Sequence, residues 1–268
     1  MEKPLLLLLS LLIGLSTLSG CATSPMGRSQ LIMMSDSDMN AMGDKAFLSL
    51  VQKTPLVKDR QANAYVDCVA EALIREVGGQ WEVAVFQDND ANAFALPGGK
   101  IGVNSGLLGV AVNQDQLATV IGHEVSHVLA RHSNERLSQE SATKIGLGVI
   151  QSVASSQGYG NQAVFGALGL GAQYGILLPY SRVQESEADL LGLDLMARAG
   201  FNPNESVNLW VNMGKAAGGK QSAEFLSTHP SHDTRIQDLQ NRMPLAMELS
   251  RKAHAAGKNP QCEGLAKN

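Results

Sequence analysis

Apolar residues recur every three to four positions along most of this chain, which is the spacing of an amphipathic helix. Ser35 and Asp59 are typical N-cap residues in front of two such segments, which we expect to end near Val51 and Val77. Further segments of this kind follow after residue 113, so the pattern predicts a mainly helical chain.

The pattern changes to alternation between residues 81 and 103, which is typical of strands. Trp81–Phe86 and Asn92–Leu96 are predicted strands, and Pro97-Gly98-Gly99 is expected to reverse the chain into a third strand, Lys100–Val103. The expected fold class is therefore α+β, mainly helical, with one small sheet.

The helical segment after residue 113 carries an H-E-x-x-H motif. Asn113 and Gln116 look like a capping box that starts the helix, and His123, Glu124 and His127 follow within it. Two histidines one turn apart lie on the same side of a helix and can bind one tetrahedral metal, with the glutamate placed to act on a water. This arrangement favours a zinc peptidase. The alternative is a chance match, because only three positions of the motif are defined.

A third ligand is predicted on a later helix. Ser181 and Gln184 form another capping box, and Glu185 and Asp189, four residues apart, share one face of the helix that follows. Glu185 could then bind zinc while Asp189 orients a ligand histidine through its free N–H, and Glu187 points nearly the opposite way. The alternative is that acidic residues in the first turn merely complement the helix dipole.

His132 is a competing candidate for the third ligand. It lies five residues past His127, or roughly 140° around a continuous helix, on the apolar side. Ala130 and Ser133 stand where a metzincin would need glycine and histidine. We therefore interpret His132 as a packing or hydrogen-bonding residue.

The amino terminus is interpreted as a lipoprotein signal. Residues 1–20 contain a short apolar run, and Leu18-Ser19-Gly20-Cys21 resembles the bacterial lipobox, in which the cysteine is acylated. Ala22 in the next position favours the outer membrane, facing the periplasm. Residues 21–34 are expected to be the acylated cysteine and a tether, and residues 35–268 a single domain. An ordinary signal peptide with an incidental cysteine is the alternative.

The remaining cysteines and the charge narrow the class of protein further. Cys68 and Cys262 are expected to form a disulfide bond in an oxidising compartment, the alternative being two buried thiols. The net charge of −4 includes no basic block, so nucleic acid is not an expected partner.

Other segments between and after the motifs are also predicted to be helical. Residues 145–178 are rich in glycine and apolar residues, and are interpreted as two helices packed near the site. Helices are further expected over Pro203–Gly214, with Trp210 in the core, and over Thr234–Met243 and Leu245–Ala256. Arg235 could brace an acidic group such as Asp189.

Together these features resemble the HtpX and CAAX prenyl protease family of gluzincin-type zinc endopeptidases, most closely its periplasmic lipoprotein branch, over roughly residues 28–245. The resemblance implies a zincin-like domain whose small sheet has an exposed edge against the active-site helices. It also implies one zinc ion per chain and polypeptide substrates in extended form. The residue roles it implies are zinc binding by His123, His127 and Glu185, catalysis by Glu124, support by Asp189, substrate-backbone binding by Asn92, Ala93, Phe94 and Ala95, and transition-state stabilisation by His229.

The resulting functional hypothesis is a zinc-dependent endopeptidase of the bacterial periplasm. Anchored in outer-membrane lipid through acylated Cys21, it would hydrolyse unfolded or misassembled envelope proteins, and the outer-membrane assembly machinery is a candidate partner. Two alternatives stay open. One is a lipoprotein chaperone that assists the assembly of outer-membrane proteins, and the other is an amidase of cell-wall peptides.

Overall fold

The computed structural model describes residues 21–154, 179–217, 229 and 234–262. Within these ranges the α-helices are α1 (Asp36–Lys53), α2 (Arg60–Val77), α3 (Gln114–Leu129), α4 (His132–Ala154), α5 (Arg182–Arg198), α6 (Glu205–Ala217) and α7 (Arg235–Ala255). The strands are β1 (Cys21–Thr23), β2 (Ser29–Leu31), β3 (Glu82–Phe86), β4 (Ala93–Leu96) and β5 (Lys100–Asn104), and a 3₁₀ helix spans Ser105–Gly109. The predicted signal peptide and residues 155–178 of the predicted helical pair lie outside the described residues.

Side-chain caps fix where the main helices begin. Ser35 accepts a hydrogen bond from the backbone N–H of Asp38, and Asp59 accepts two from the first turn of α2. Both helices start as predicted. The capping box predicted for α3 is only half present, because the Gln116 side chain accepts from the N–H of Val112 instead of that of Asn113.

The small sheet contains three strands in the order β3-β5-β4. β3 runs parallel to the central strand β5, with Val83 opposite Ile101, and β4 runs antiparallel to it, with Ala95 opposite Ile101. Gly98 and Gly99 form the turn between β4 and β5, both with positive φ. β4 is therefore an edge strand, and it packs against α3. This is the mainly helical α+β fold with a zincin-like arrangement that the sequence predicted.

Helix α3 runs through the centre of the domain. Its apolar residues Leu117, Ile121 and Val125 are fully buried, and α2, α5, α6 and the sheet pack around it. α7 covers the far side of α5. No helix in the described ranges has the length and apolar character needed to cross a membrane.

The crossing of α3 and α5 depends on two glycines. A Cβ atom added to Gly192 of α5 would lie 2.8 Å from the backbone nitrogen of His123, and one added to Gly122 would lie 3.1 Å from the carbonyl oxygen of Gly192. The contact at Gly192 is too short for a Cβ atom unless the backbone shifts, and the contact at Gly122 is tight. The two glycines therefore bring the backbone of α5 directly against the turn of α3 that carries His123.

The structure shows a folded element within residues 21–34, which the sequence predicted to be a tether leading into the domain. β1 and β2 form an antiparallel hairpin in which Ala22 lies opposite Gln30, and the hairpin docks on the domain. The Gln30 side chain is buried and donates to the carbonyl oxygen of Ala130 at 2.7 Å and to Glu135 at 3.0 Å. Polar residues that look solvated in the sequence thus find buried polar partners.

The carboxy-terminal helices also differ from the prediction of two segments. α7 continues through Pro244, although proline removes one hydrogen bond of the helix ladder. Leu239 and Ala246, on either side of it, are both buried against the domain, so tertiary packing holds the helix together. A disulfide bond joins Cys68 on α2 to Cys262 beyond α7, with the Cα atoms 5.7 Å apart.

The crossing can be tested with Gly192→Ala. Because the new methyl group meets backbone instead of a flexible side chain, we expect the free energy of unfolding to fall by about 1–3 kcal/mol. Gly214→Ala is the matched control: it lies in α6 with nothing within 4 Å of the added atom, and should raise stability by about 0.5–1 kcal/mol. Urea unfolding of both variants measures the difference, and an equally stable Gly192→Ala would contradict the proposed close crossing.

Candidate metal centre

Two imidazoles of α3 face one point in the protein interior. His123 and His127 are each 1% exposed, and their Nε2 atoms lie 3.1 Å apart. The one-turn spacing of the motif puts both rings on the same side of the helix, as predicted.

A carboxylate from α5 reaches the same point. The oxygens of Glu185 lie 3.4 Å from Nε2 of His123 and 3.5 Å from Nε2 of His127. Zinc bound tetrahedrally at the usual bond lengths needs ligand atoms about 3.3 Å from one another. The donor types and their spacing therefore fit a zinc ion at the position between them.

His229 supplies a fourth donor atom at this point. Its Nδ1 atom lies 3.2 Å from Nε2 of His123 and 3.1 Å from a Glu185 oxygen. The four groups His123, His127, Glu185 and His229 are all buried, and their donor atoms lie within 4.8 Å of one another. The structure thus places His229 within the donor cluster. The neighbouring residues 230–233 and 218–228 lie outside the described ranges.

Asp189 lies at Nδ1 of His123, the ring nitrogen that faces away from the donor cluster, and Arg235 lies beside it and also reaches an oxygen of Glu185 at 3.3 Å. Asp189 Oδ1 is 3.0 Å from His123 Nδ1, and the Arg235 guanidinium contacts Asp189 at 2.6 Å. Arg235 in turn lies over the indole ring of Trp210, 3.5 Å from its centroid. When Asp189 accepts a hydrogen bond from Nδ1–H of His123, the Nε2 atom keeps its lone pair for a metal.

Glu124 lies beside the cluster without joining it. It is 2% exposed, one of its oxygens is 3.3 Å from His229 Nε2, and the backbone N–H of Ala95 in β4 donates to its carboxylate. Burial raises the pKa of Glu124 above its ordinary value, partly opposed by the nearby His229 and His123. A buried carboxylate with a raised pKa is suited to accept and release a proton.

The charges of the ligand residues influence one another strongly. Burial lowers the pKa of His123, but hydrogen bonds to Asp189 and Glu185 outweigh burial and raise it to about 9. Burial raises the pKa of Glu185, yet the hydrogen bonds from His123 and His229 hold it well below the ordinary value. Protons and a metal ion therefore compete for the same cluster.

The edge strand β4 runs along the site. Since the N–H of Ala95 points to Glu124, the peptide groups of Ala93 and Ala95 face away from β5, as alternation along an antiparallel strand requires. The N–H of Ala93 is held by the side chain of Asn92 at 3.0 Å. Phe94 is half-buried and lies 5.7 Å, between ring centroids, from Phe86. Of the four residues predicted to bind substrate backbone, Ala95 therefore contacts Glu124, and Asn92, Ala93 and Phe94 precede it along the chain.

Three groups around His127 were missed or only partly understood from the sequence. The Tyr180 ring stacks on the His127 ring at 3.9 Å, although nothing in its sequence context marks it. His132 is a hydrogen-bonding residue, as interpreted, with its Nδ1 2.9 Å from Nδ1 of His127. However, α3 ends before it and Arg131 takes a positive φ of 55°, so its position does not follow from a continuous helix. Glu187 is buried on the far side of His132.

Comparison with known proteins agrees with this geometry. The chain is 39% identical to mitochondrial metalloendopeptidase OMA1 of Saccharomyces cerevisiae over 180 residues, which are 64% of this chain and 50% of the relative. It is 30% identical to the beta-barrel assembly-enhancing protease of Escherichia coli K12 over 227 residues, which are 81% of this chain and 46% of the relative. The chain thus spans about half the length of these curated relatives.

The profile of Peptidase family M48 matches residues 56–243, which include the H-E-x-x-H motif, Glu185 and Arg235. The match covers more than half of the chain and confirms the kind of family and the enzyme class that the motifs predicted. On this evidence the chain belongs to peptidase family M48.

Proposed function

We propose that this chain is a zinc-dependent endopeptidase that cleaves unfolded or misassembled envelope proteins in the bacterial periplasm. The observation that carries the proposal is the convergence of His123, His127 and Glu185 on one point, with Glu124 next to them. A protein that only binds other chains has no need of a buried base at that position.

The proposed chemistry assigns one task to each group. When bound by His123, His127 and Glu185, zinc supplies a Lewis acid that lowers the pKa of water to about 7 and polarises a carbonyl. Glu124 takes a proton from the attacking water and passes it to the leaving amine. The N–H of Ala95 holds the Glu124 carboxylate toward the cluster while it does so.

The substrate is proposed to pair with the free edge of β4 as an added strand. The peptide group of Ala93 and the carbonyl oxygen of Ala95 would carry this pairing, with the Asn92 side chain giving up its bond to Ala93. The N–H of Ala95 stays with Glu124. His229 lies in the donor cluster, and a catalytic zinc site keeps one position open, so His229 would leave the cluster when substrate binds. Because it lies near Glu124, it would then stabilise the oxyanion.

The cellular location is proposed from the amino-terminal sequence. Acylation of Cys21 would anchor the domain in the outer membrane, facing the periplasm. The similarity to a protease named for β-barrel assembly supports substrates or partners in that membrane. Other relatives are named as mitochondrial, so the proposed location depends on the amino-terminal sequence and not on this similarity.

The role of Glu124 is tested by Glu124→Gln. The amide cannot accept a proton, so we expect cleavage of an unfolded model protein to fall by about 100- to 10,000-fold while zinc content stays unchanged. Glu71→Gln, an exposed change on α2, should leave both unaffected.

The same variant separates the competing functions. Undiminished proteolysis by Glu124→Gln would refute the base assignment. Full rescue of a deletion strain by this variant would favour the chaperone alternative. Cleavage of peptidoglycan fragments but not of unfolded protein, by the unaltered chain, would favour the amidase.

The metal ligands are tested by zinc titration. Glu185→Gln removes the charged ligand and should lower zinc affinity by at least about 100-fold, whereas Asp194→Asn, on the same helix but paired with Arg242, should bind zinc normally. Because the pKa of His123 is raised to about 9, zinc must displace a proton near neutral pH, so its affinity should increase as pH rises toward 9. Competition with a chromophoric chelator at several pH values measures both effects. A pH-independent affinity would contradict the proposed ligand set.

The anchor is tested by metabolic labelling with a fatty acid in a bacterial host. The unaltered chain and Cys262→Ser should both carry the label and sediment with the outer membrane. Cys21→Ser should carry none and appear in the soluble fraction. A labelled Cys21→Ser chain would refute acylation at this residue.

A further inference from the structure

A chain of buried hydrogen bonds leads away from His127 on the side opposite the donor cluster. His132 is fully buried, with Nδ1 2.9 Å from Nδ1 of His127 and Nε2 3.2 Å from an oxygen of Glu187. The same Glu187 oxygen accepts from Nε and from one terminal nitrogen of Arg28, each at 3.0 Å.

The donor and the acceptor of each hydrogen bond in this series follow from the metal site. His127 faces the cluster with Nε2, so its proton must be on Nδ1 when Nε2 binds a metal. Since both contact atoms are Nδ1, the nitrogen of His132 has to be the acceptor. A neutral His132 then carries its own proton on Nε2 and donates it to Glu187.

Glu187 is surrounded by hydrogen-bond donors of the amino-terminal hairpin. The Arg28 guanidinium contacts one of its oxygens through two nitrogens, each at 3.0 Å. The backbone N–H of Met26 donates to the other oxygen, at 3.3 Å. With these donors in place, Glu187 is the acceptor for His132, and only the Nε2–H form of His132 can donate to it.

We propose that His132 is the positioning residue of His127. Glu187 of α5 and Arg28 of the hairpin fix the tautomer of His132. His132 would accept a hydrogen bond from Nδ1–H of His127. Asp189 accepts the corresponding bond from Nδ1–H of His123, with the two atoms 3.0 Å apart. The inference rests on the proposed zinc chemistry and deepens it. It also makes the hairpin of β1 and β2, which begins at Cys21, a support of the metal centre.

Two isosteric variants of His132 test the proposal. Asn places a carbonyl oxygen near the position of Nδ1 and keeps the acceptor for His127. Gln places its polar group near the position of Nε2, keeping the contact with Glu187 and losing the acceptor. We expect His132→Gln to lower zinc affinity by about 10- to 100-fold, and His132→Asn to stay within about threefold of the unaltered chain.

The measurements use the full mature chain, with zinc competed against a chromophoric chelator and with the visible spectrum of the Co²⁺-loaded protein. The spectrum of His132→Gln should change, because an unsupported His127 ring alters the ligand geometry. Ser138→Ala is the matched control: it removes another hydrogen bond between α4 and the amino-terminal segment, to the N–H of Met33, without touching the chain to His127. Its zinc affinity and Co²⁺ spectrum should not change.

Urea unfolding of the metal-free variants separates positioning from simple destabilisation. The inference would be supported if His132→Asn and His132→Gln unfold at the same urea concentration and only His132→Gln loses zinc affinity. Equal affinities of the two variants, whether both normal or both weak, would overturn it. If the unaltered chain binds zinc but cleaves no protein, the proposed function fails. The zinc affinities of His132→Asn and His132→Gln would still test the positioning role, because they do not depend on cleavage.

Discussion

The structure depends on the close crossing of α3 and α5. A metal site built from one helix pair needs its third ligand at a defined distance, and Gly122 and Gly192 set that distance by letting backbone meet backbone. The crossing lies within one turn of His123, where a shift of even one ångström would break the tetrahedral spacing of the donors. The remaining helices support this crossing: α7 packs on α5 and α6 packs on α3.

The buried carboxylates at the crossing of α3 and α5 require positive charge nearby. Glu124, Glu185 and Asp189 are all at least 95% buried, and Arg235 is the cation that contacts the last two. With neutral histidines, three carboxylates and one guanidinium leave two negative charges in a medium of low dielectric constant. A divalent cation neutralises them. The charge of the site, and not only its donor geometry, therefore favours a divalent metal, and protons take its place when it is absent.

The helix pair and the side chains that it brings together could be predicted because their determinants are local. The spacing of His123 and His127 follows from the helix period, and the capping box at Ser181 fixes the phase of Glu185 and Asp189. The edge strand at Ala95 was predictable for a related reason, since alternation and a glycine turn define a strand without tertiary information. That it adjoins Glu124 came from the family resemblance.

What could not be predicted depends on contacts between distant segments. Arg28 and Gln30 look like tether residues because their partners, Glu135 and Glu187, lie more than one hundred residues away. Pro244 predicts a helix end, and only packing of the flanking turns overrides it. His132 was misplaced because a break at Arg131, in a left-handed backbone conformation, redirects the chain by an amount that helical periodicity does not describe.

The two histidine ligands are consequently supported in different ways. His123 is backed by Asp189 and Arg235 from α5 and α7, elements of the main core. His127 is backed through His132 and Glu187 by a short hairpin near the start of the described chain. Short peripheral elements open more readily than core helices, because fewer buried contacts hold them. Loosening of the hairpin would thus weaken one ligand while the other stays in place, which links the state of the amino-terminal segment to the occupancy of the metal site.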